Sequence, residues 1–201
     1  MKTIILVQHT ESEHHVNNHI GAWHDWDLTA RGREQAFRIG EWLKRGGCDD
    51  TWFMFVSPLR RAWQTAEEIN RSLGITPVVR EELREVNAGQ GNGRTREWYR
   101  ENAAPRGPVF DPDHRDFPDA ESDRDLWNRV LPFFREMTAS PWERIIVVSH
   151  GTTISFLQSM LAGHSVEDRG RFRCNGSSGS VSRYTVGNSG LVTADFINGH
   201  F

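Results

Sequence analysis

The segment IILVQHTE (residues 4–11) joins an uninterrupted apolar run to a polar turn that contains a histidine. A short run rich in β-branched residues and bounded by polar ones is typical of a strand buried on both faces. The same pattern recurs in RIIVVSHG (residues 144–151), where the apolar run leads into His150. The two segments predict two buried strands, each of which ends at a histidine.

Helical patterns separate these apolar runs from others along the chain. Strands are also expected at residues 51–56 and 77–80, with a terminal hairpin formed by 180–186 and 191–196. Helices are expected from Thr29 to Gly46 and over about 59–73, 122–138 and 152–162, with a short one near 95–101. The alternation of strands and helices predicts an α/β fold with a mainly parallel sheet.

Composition places the chain among globular proteins. Its 201 residues, 37% hydrophobic and 25% charged, predict a single domain over residues 1–201 with a sizeable core. The formal charge of -3 argues against a nucleic-acid surface, and no apolar run approaches the ~20 residues of a membrane helix.

The two cysteines, Cys48 and Cys174, have no metal-ligand spacing and are expected to be reduced thiols. We therefore expect a cytoplasmic protein that acts on a small molecule. The oligomeric state stays open, with a homodimer as one alternative.

Residues 86–120 differ in character from the rest of the chain. The segment is rich in glycine, proline, asparagine and charged residues, and it is longer than an ordinary connection. We expect it to form either a lid or pocket wall, or a solvated excursion, and the sequence leaves both interpretations open.

Four chemically versatile side chains are predicted at one edge of the sheet. His9 and His150 each follow a buried strand, Arg61 begins the helix after the second strand, and Glu85 follows the run at 77–80. In open sheets of this kind, ligands bind outside the carboxyl ends of the strands. Each residue alone is more often a hydrogen-bonded turn residue or a solvated charge. Four at the same end favour a shared site, because chance would scatter them over both ends.

These four side chains have complementary chemistry for phosphoryl transfer. A neutral imidazole can attack phosphorus and carry the phosphoryl group covalently. A second imidazole and a guanidinium can bind the phosphoryl oxygens, whose charge must be stabilised in the transition state. A carboxylic acid can protonate the leaving alkoxide and then, as carboxylate, activate water. Because cationic side chains can do the work of Mg²⁺ here, we expect neither a metal nor another cofactor.

Five blocks of the sequence resemble motifs of the histidine phosphatase superfamily, the phosphoglycerate mutase-like proteins. They are QHTES (8–12), DWDLTARGREQA (25–36), SPLRRAWQTA (57–66), LREVNAGQGNG (83–93) and VVSHGTTISFL (147–157), in the family's order. The resemblance implies a three-layer α/β/α sandwich and hydrolysis of phosphomonoesters through a phosphohistidine. It implies His9 as the nucleophile and Glu85 as the general acid and base. It also implies Arg61, rather than Arg60, and His150 as ligands of the phosphoryl group.

The first block departs from the family pattern around His9. Gln8 replaces an arginine, Thr10 replaces a glycine, and His15 stands where many members have asparagine. By resemblance, the missing arginine would be one of two guanidinium groups that bind the phosphate. Losing such a charge-assisted contact typically costs ~1.5–3 kcal/mol, roughly a 10- to 150-fold loss of phosphate affinity. Five side chains are candidates to compensate for it: His14, His15, Arg84, Arg171 and Arg173.

The substrate site is expected to include five further residues: Gln8, Ser12, His15, Trp23 and Thr152. Glu85 and His150 are only 65 positions apart in the chain, whereas the resemblance associates phosphoglycerate mutases with a long insertion between these positions. We therefore prefer hydrolysis of a phosphomonoester over a mutase-type phosphotransfer.

Two other interpretations of the first segment remain open. Histidines occur at positions 14, 15, 19 and 24, and His15 and His19 have the i, i+4 spacing of zinc ligands. That spacing brings two ligands together only on a helix, and the asparagines and glycine nearby predict a loop instead. Gln8 also allows a non-catalytic or weakly active protein that binds phosphorylated ligands on the same fold.

Overall fold

The computed structural model describes residues 1–201 and contains one six-stranded sheet. The strands are β1 (Lys2–Gln8), β2 (Phe53–Val56), β3 (Val78–Val79), β4 (Arg144–Ser149), β5 (Val181–Val186) and β6 (Val192–Gly199). The helices are α1 (Glu13–Val16), α2 (Ala30–Arg45), α3 (Arg60–Leu73), α4 (Arg96–Asn102), α5 (Asp123–Ala139) and α6 (Gly151–Leu161). The strand order is β3-β2-β4-β1-β5-β6. The first four strands in that order are parallel, and β5 is antiparallel to both of its neighbours. The predicted α/β fold with a mainly parallel sheet is confirmed.

Helices cover both faces of the sheet and give the three-layer α/β/α sandwich. Successive strand residues point to opposite faces. In β1, Ile4 belongs to the core shared with α5 and α6, whereas Ile5 belongs to the core shared with α2 and α3. Because both faces of β1 are covered, its sequence is a continuous apolar run and does not alternate with polar residues. None of the helices combines the length and the apolar character needed to cross a membrane.

The pairing of β1 with β4 brings the two histidines together. Gln8 pairs with Ser149, and these are the last residues of their strands. The next residues, His9 and His150, therefore leave the sheet at the same edge, where His9 N donates to Ser149 O at 2.8 Å. Strand β2 pairs with the other side of β4 and brings Ser57 and the start of α3 to this edge.

Helix α1 is the one helix that the sequence pattern did not predict. It is a single turn within the segment for which we expect a loop, and it has no apolar repeat that could signal it. The turn is stabilised locally, because Ser12 N donates to Nδ1 of His15 at 3.1 Å. Since α1 ends at Val16, His15 and His19 do not share a helix.

Residues 86–120 pack largely through contacts of their own. Tyr99, on α4, donates its phenolic hydroxyl to Asp116 at 2.6 Å, and Trp98 stacks on Phe117 with ring centroids 5.6 Å apart. These contacts tie the irregular second half of the segment to α4, and α4 in turn lies beside the cleft described below.

Candidate active site

His9 is buried at the carboxyl end of β1, and its hydrogen bonds define which ring nitrogen is free. Nδ1 lies 2.8 Å from Thr10 O, and because a carbonyl oxygen can only accept, Nδ1 carries the hydrogen. Nε2 of the neutral ring therefore keeps its lone pair. Burial, and next the charge of Arg61, hold the pKa of His9 well below its ordinary value. His9 thus presents a neutral, nucleophilic Nε2 at neutral pH.

Arg61 is the cation that faces this nitrogen. It is the second residue of α3, is 1% exposed, and donates from Nε to His9 Nε2 at 3.1 Å. Its two terminal nitrogens donate to His24 O at 3.0 Å and to Ala22 O at 2.8 Å, which fix the plane of the guanidinium. Burial lowers the pKa of Arg61 to about 10, so the group stays charged at neutral pH. Arg60, by contrast, is exposed and pairs with Asp27.

His150 lies beside His9 and has one ring nitrogen without a partner. It is fully buried as the N-cap of α6, and its ring centroid is 5.2 Å from that of His9. Nε2 is 2.7 Å from the hydroxyl oxygen of Ser57, whereas the buried Nδ1 makes no hydrogen bond. Burial, and next Arg61, keep the pKa of His150 well below its usual value. Because Ser57 Oγ accepts from Leu59 N, its hydroxyl can donate to His150 Nε2, which places the ring hydrogen on Nδ1 as an unsatisfied donor. His150 lies behind the residues that line the cleft.

Glu85 is held by the first turn of α6. Its Oε2 accepts from Thr152 N at 3.1 Å, and its Oε1 accepts from Val86 N at 2.9 Å and Thr153 N at 3.2 Å. Two of these donors are free amides at the N-terminus of a helix, which attract a carboxylate. The carboxyl group is therefore fixed in position beside His150, the cap of the same helix.

Two further side chains hold the backbone of Glu85. Trp23 Nε1 donates to Glu85 O at 2.6 Å, and Arg129 donates from Nη2 to the same oxygen at 2.9 Å. Arg129 comes from the middle of α5 and is itself paired with Glu121. The sequence predicts Trp23 in the substrate site. In the structure Trp23 does not line the cleft, and it contacts the backbone of Glu85 instead. The guanidinium carbon of Arg84 lies 4.6 Å from the centroid of the Trp23 ring.

The remaining predicted residues divide between the cleft wall and its support. Gln8, His15 and Thr152 line the cleft, and the Gln8 side chain lies where a Cβ at position 151 would approach it to 3.1 Å. Ser12 is fully buried, and its hydroxyl bonds to Nδ1 of His14 at 2.6 Å. Ser12 therefore positions the histidines of α1 and is not part of the lining.

Of the side chains that could compensate for the missing arginine, His14, His15 and Arg173 line the cleft, and Arg84 and Arg171 do not.

His15 is a hydrogen-bond donor towards the cleft. Because its Nδ1 accepts from Ser12 N, the hydrogen of the neutral ring is on Nε2. The ring is stacked with that of His9, with centroids 5.4 Å apart. Burial lowers the pKa of His15 to about 4 and that of His14 to about 2. Both histidines are therefore neutral at neutral pH, and His15 offers an N–H group beside the nucleophile.

Ring nitrogens of His9, His14 and His15 lie within 4.8 Å of one another, which is a geometry that could hold a metal ion. Two features favour an anion instead. His15 uses Nδ1 to accept a backbone N–H group, and the charge of Arg61 opposes a cation at His9 Nε2. His19, which has the i, i+4 spacing from His15, bonds to Asn17 O and packs on Trp26, outside this group.

The cleft above these groups has a volume of about 510 Å³ and a cationic wall. Its lining contains four arginines, Arg61, Arg96, Arg169 and Arg173, and a single carboxylate, Glu85. Residues 86–120 contribute Val86, Ala88, Arg96 and Tyr99, so part of this segment forms a pocket wall.

Several residues of the site were not predicted from the sequence, among them Ser57, Arg129 and Arg169. Ser57 lies within the SPLRR block, so its position beside Arg61 could have indicated it. Nothing local in the sequence distinguishes the two arginines from the many others in the chain.

Comparison with known proteins identifies the family of the chain. A family model described as the histidine phosphatase superfamily (branch 1) matches residues 4–198. Phosphoserine phosphatase 1 of Hydrogenobacter thermophilus is 30% identical over 186 residues, covering 90% of this chain and 86% of the relative. A 2,3-bisphosphoglycerate-dependent phosphoglycerate mutase of Porphyromonas gingivalis is 27% identical over 201 residues, covering 84% and 81%. The native structure of mycobacterial glucosyl-3-phosphoglycerate phosphatase shares the fold, with a TM-score of 0.83, 21% identity and full coverage of both chains.

Proposed function

Because the chain belongs to the histidine phosphatase superfamily, we propose that it hydrolyses phosphomonoesters through a phosphohistidine on His9. The unprotonated Nε2 of His9 carries this proposal. It is a buried, neutral imidazole nitrogen whose lone pair faces the Nε–H group of Arg61 at 3.1 Å. That N–H group marks where a phosphoryl oxygen would be bound when phosphorus approaches Nε2.

In the first step, the Nε–H group of Arg61 transfers its hydrogen bond from His9 Nε2 to a phosphoryl oxygen. Nε2 then attacks phosphorus, a P–N bond forms, and the P–O bond to the alcohol breaks. Arg61, the free Nδ1 of His150 and the Nε2–H group of His15 bind the phosphoryl oxygens. Glu85, in its protonated form, gives its proton to the departing oxygen, so that a neutral alcohol leaves. The amides that hold Glu85 keep this carboxyl group beside the bond that breaks.

In the second step, water attacks phosphorus on the side that the alcohol has left. Glu85, now a carboxylate, takes a proton from this water while the P–N bond breaks. The lone pair returns to His9 Nε2, inorganic phosphate departs, and Glu85 is again protonated for the next cycle. No metal is needed in either step, since Arg61 and the imidazoles bind the developing charge.

Gln8 supports a second candidate function, that of a protein which binds phosphorylated ligands without turning them over. Its amide can donate a hydrogen bond to a phosphoryl oxygen but adds no positive charge. The retained set of His9, Arg61, Glu85 and His150 favours catalysis over this alternative, because a binding protein has no use for an acid beside the ester oxygen.

The proposal is tested by trapping the intermediate. The enzyme is mixed with p-nitrophenyl phosphate, quenched in alkali, and examined by intact-protein mass spectrometry. We expect one covalently bound phosphoryl group that survives base, is lost in acid, and maps to His9. It should be absent from His9→Ala protein with an unchanged circular dichroism spectrum and present in His19→Ala protein, whose histidine lies outside the cleft.

The same experiment separates the alternatives. Absence of a phosphoenzyme, together with phosphate binding measured by calorimetry, would identify a binding protein. A phosphoenzyme that passes its phosphoryl group to added glycerate faster than to water would identify mutase-type transfer. A rate that EDTA abolishes would contradict the metal-independent mechanism.

A further inference from the structure

Thr10 is fully buried directly after the nucleophile, and its side chain has no part in the chemistry proposed above. The family pattern has glycine at this position, so this chain adds a hydroxyl and a methyl group to the turn that carries His9. The Thr10 hydroxyl lies 3.3 Å from the hydroxyl of Thr65 in α3, and Thr10 N donates to the same oxygen at 3.2 Å. Two hydrogen bonds from one residue therefore connect the end of β1 to α3.

The direction of these hydrogen bonds follows from a third contact of Thr65. Its hydroxyl lies 2.8 Å from Arg61 O, and because a carbonyl oxygen can only accept, the single hydroxyl hydrogen of Thr65 is used there. Towards Thr10 the same oxygen can only accept, so the Thr10 hydroxyl is the donor. Thr65 thus accepts twice from Thr10 and donates once to Arg61. All three residues are at most 1% exposed, so water does not compete for these bonds.

The contacts close a ring of bonded groups around the reacting nitrogen. His9 is joined covalently to Thr10, whose side chain bonds to Thr65. Thr65 bonds to Arg61 O, and the Arg61 side chain returns to His9 Nε2 at 3.1 Å. Thr10 O also accepts the Nδ1 hydrogen of His9 at 2.8 Å. Thr10 therefore contacts both the ring of the nucleophile and the helix turn that presents the cation.

The turn is held on its other side by the loop before β5. Gly179 N donates to His9 O at 3.0 Å and to Gln8 O at 3.2 Å. A Cβ at position 179 would meet the methyl carbon of Thr10 at 3.5 Å, so this methyl group faces the loop. Backbone bonds alone attach the turn to the loop, whereas the attachment to α3 also uses the Thr10 side chain. A substitution at Thr10 can therefore change the second attachment and leave the backbone bonds of the first in place.

Arg61 has to be placed accurately, because it is the one guanidinium that hydrogen-bonds to His9. Gln8, the other neighbour in the first sequence block, brings no positive charge. The contacts to Ala22 O and His24 O fix the terminal nitrogens of Arg61, and the link through the two threonines fixes its backbone. A misplacement of about 1 Å at such a site can cost about 100-fold in rate.

We propose that Thr10 is a positioning residue, whose hydroxyl fixes Arg61 relative to His9 through Thr65. Thr10 does not line the cleft, so it acts on a bound phosphoryl group only through these neighbours. The proposal rests on the proposed function, which identifies the group that Arg61 binds. A buried hydroxyl with a merely structural role would affect stability alone, whereas a positioning residue also changes how tightly the cleft binds phosphate.

The test measures the affinity for inorganic phosphate by phosphorus NMR titration, which covers weak as well as tight binding. Thr10→Val keeps the shape of the side chain and the backbone bond to Thr65 but removes the hydroxyl. We expect it to weaken phosphate binding roughly three- to tenfold, the usual effect of one lost hydrogen bond. Thr10→Ser keeps the hydroxyl and should stay within about twofold of the native protein. Ser72→Ala is the matched control, because Ser72 lies at the other end of α3 and donates its hydroxyl to Glu41 of α2. This control should not change the affinity.

Double variants test whether the effect passes through Arg61. In Arg61→Lys protein, which has lost the planar fork that the link aligns, adding Thr10→Val should weaken phosphate binding by less than about twofold. In Thr65→Val protein, which has lost the shared acceptor, adding Thr10→Val should have no further effect. If Thr10→Val does not fold, Thr10→Gly takes its place, because glycine removes the hydroxyl without adding bulk, and it must weaken binding at least as much.

Four outcomes would overturn the proposal. If Thr10→Val loses stability to urea but binds phosphate as the native protein does, the hydroxyl is a structural group. Equal losses in Thr10→Val and Thr10→Ser would show that the hydroxyl is not the cause. Losses that add fully to those of Arg61→Lys would separate Thr10 from Arg61, and native protein that binds no phosphate would leave Thr10 nothing to position. Since binding is measured without turnover, a failure to trap a phosphoenzyme contradicts the proposed hydrolysis and leaves this result intact.

Discussion

Nε of Arg61 lies 3.1 Å from Nε2 of His9, so the candidate nucleophile directly faces a guanidinium N–H group. The contact has two effects on His9. The positive charge disfavours protonation of the ring, which keeps the lone pair available. The same N–H group is also in place to bind an oxygen of the phosphoryl group that approaches. One pair of side chains therefore keeps the nucleophile neutral and prepares the site for its substrate.

Arg61→Lys should lower kcat/KM for p-nitrophenyl phosphate by about 10- to 100-fold. Lysine keeps a charge but loses the planar fork that bonds at once to His9, Ala22 and His24. Arg60→Lys is the matched control, because Arg60 is the exposed neighbour and pairs with Asp27. We expect this control to stay within twofold of the native enzyme. Equal losses in the two variants would contradict the assignment of Arg61.

Glu85→Gln should slow hydrolysis of alkyl phosphates by about 10²–10⁴-fold, the usual contribution of a general acid. The amide can still contact the helix amides through its oxygen, but it has no proton to give to the alkoxide. The first step with p-nitrophenyl phosphate should suffer much less, because nitrophenolate leaves without a proton. Burst kinetics with both substrates measure the difference. A uniform loss for the two leaving groups would argue against Glu85 as the acid.

Trp23→Phe should remove one support of Glu85 while preserving the aromatic ring beside Arg84. The lost bond is the 2.6 Å contact from Trp23 Nε1 to Glu85 O. We expect kcat for alkyl phosphates to fall about fivefold and the unfolding free energy to fall by about 1 kcal/mol. Trp26→Phe removes a similar bond to Ile20 O and serves as the control. A role in positioning Glu85 predicts a smaller effect on p-nitrophenyl phosphate, whereas a merely structural role predicts the same effect on both substrates.

Gln8→Arg should tighten inhibition by inorganic phosphate by roughly tenfold, as expected for one added charge-assisted contact. The Gln8 side chain already lines the cleft beside Gly151, so a longer cationic side chain can reach the same space. His15→Asn, made both in the native protein and in the Gln8→Arg variant, reports whether the N–H group of His15 compensates for the missing arginine. If it does, His15→Asn should weaken phosphate binding more in the native protein than in the variant. An unchanged inhibition constant for Gln8→Arg would show that another group already fills this role.

Folding stability should fall as the pH drops below about 6.5. Burial keeps the pKa values of four histidines, His9, His14, His15 and His150, well below that ordinary value, so the unfolded chain binds protons that the folded chain does not. Stability from these groups is therefore full above pH 6.5 and is lost towards acid. At about 1.4 kcal/mol per pH unit for each histidine, the four contribute a loss of up to about 5 kcal/mol between pH 7.5 and 5.5.

Urea unfolding at the two pH values measures this loss, and His9→Asn should reduce it by about a quarter, since one of the four titrating groups is gone. Saturating phosphate should also reduce it, because a bound dianion favours protonation of the neighbouring rings. A midpoint that does not change between pH 7.5 and 5.5 would contradict the burial of neutral histidines.

The strands and most helices could be predicted because their sequence patterns are long and regular. The apolar runs at β1 and β4 are buried on both faces, and their carboxyl ends had to meet in a parallel sheet. That rule alone brought His9 and His150 together. By contrast, α1 is one turn stabilised by a side-chain contact between Ser12 and His15, and such local contacts leave no periodic signal.

The supporting residues of the site could not be predicted for a different reason. Arg129 reaches Glu85 O from the middle of α5, 44 positions away, and Trp23 reaches it from 62 positions away on the other side. These contacts depend on how helices and loops pack in three dimensions, which residue type and spacing do not encode. Arg169 was missed for the same reason, because the two serines to which it donates, Ser155 and Ser159, look like ordinary helix residues in the sequence.

The cationic cleft lies in a protein whose formal net charge is -3. At physiological ionic strength, charges are screened over about 8 Å, so a dianionic ester is attracted only once it is near the mouth of the cleft. Further away, the acidic remainder of the surface repels it weakly. Added salt should therefore lower mainly the rate at which the ester associates with the cleft. The rate of P–O cleavage inside the cleft should depend less on salt. We therefore expect Arg96, Arg169 and Arg173 to act on capture from dilute solution more than on turnover.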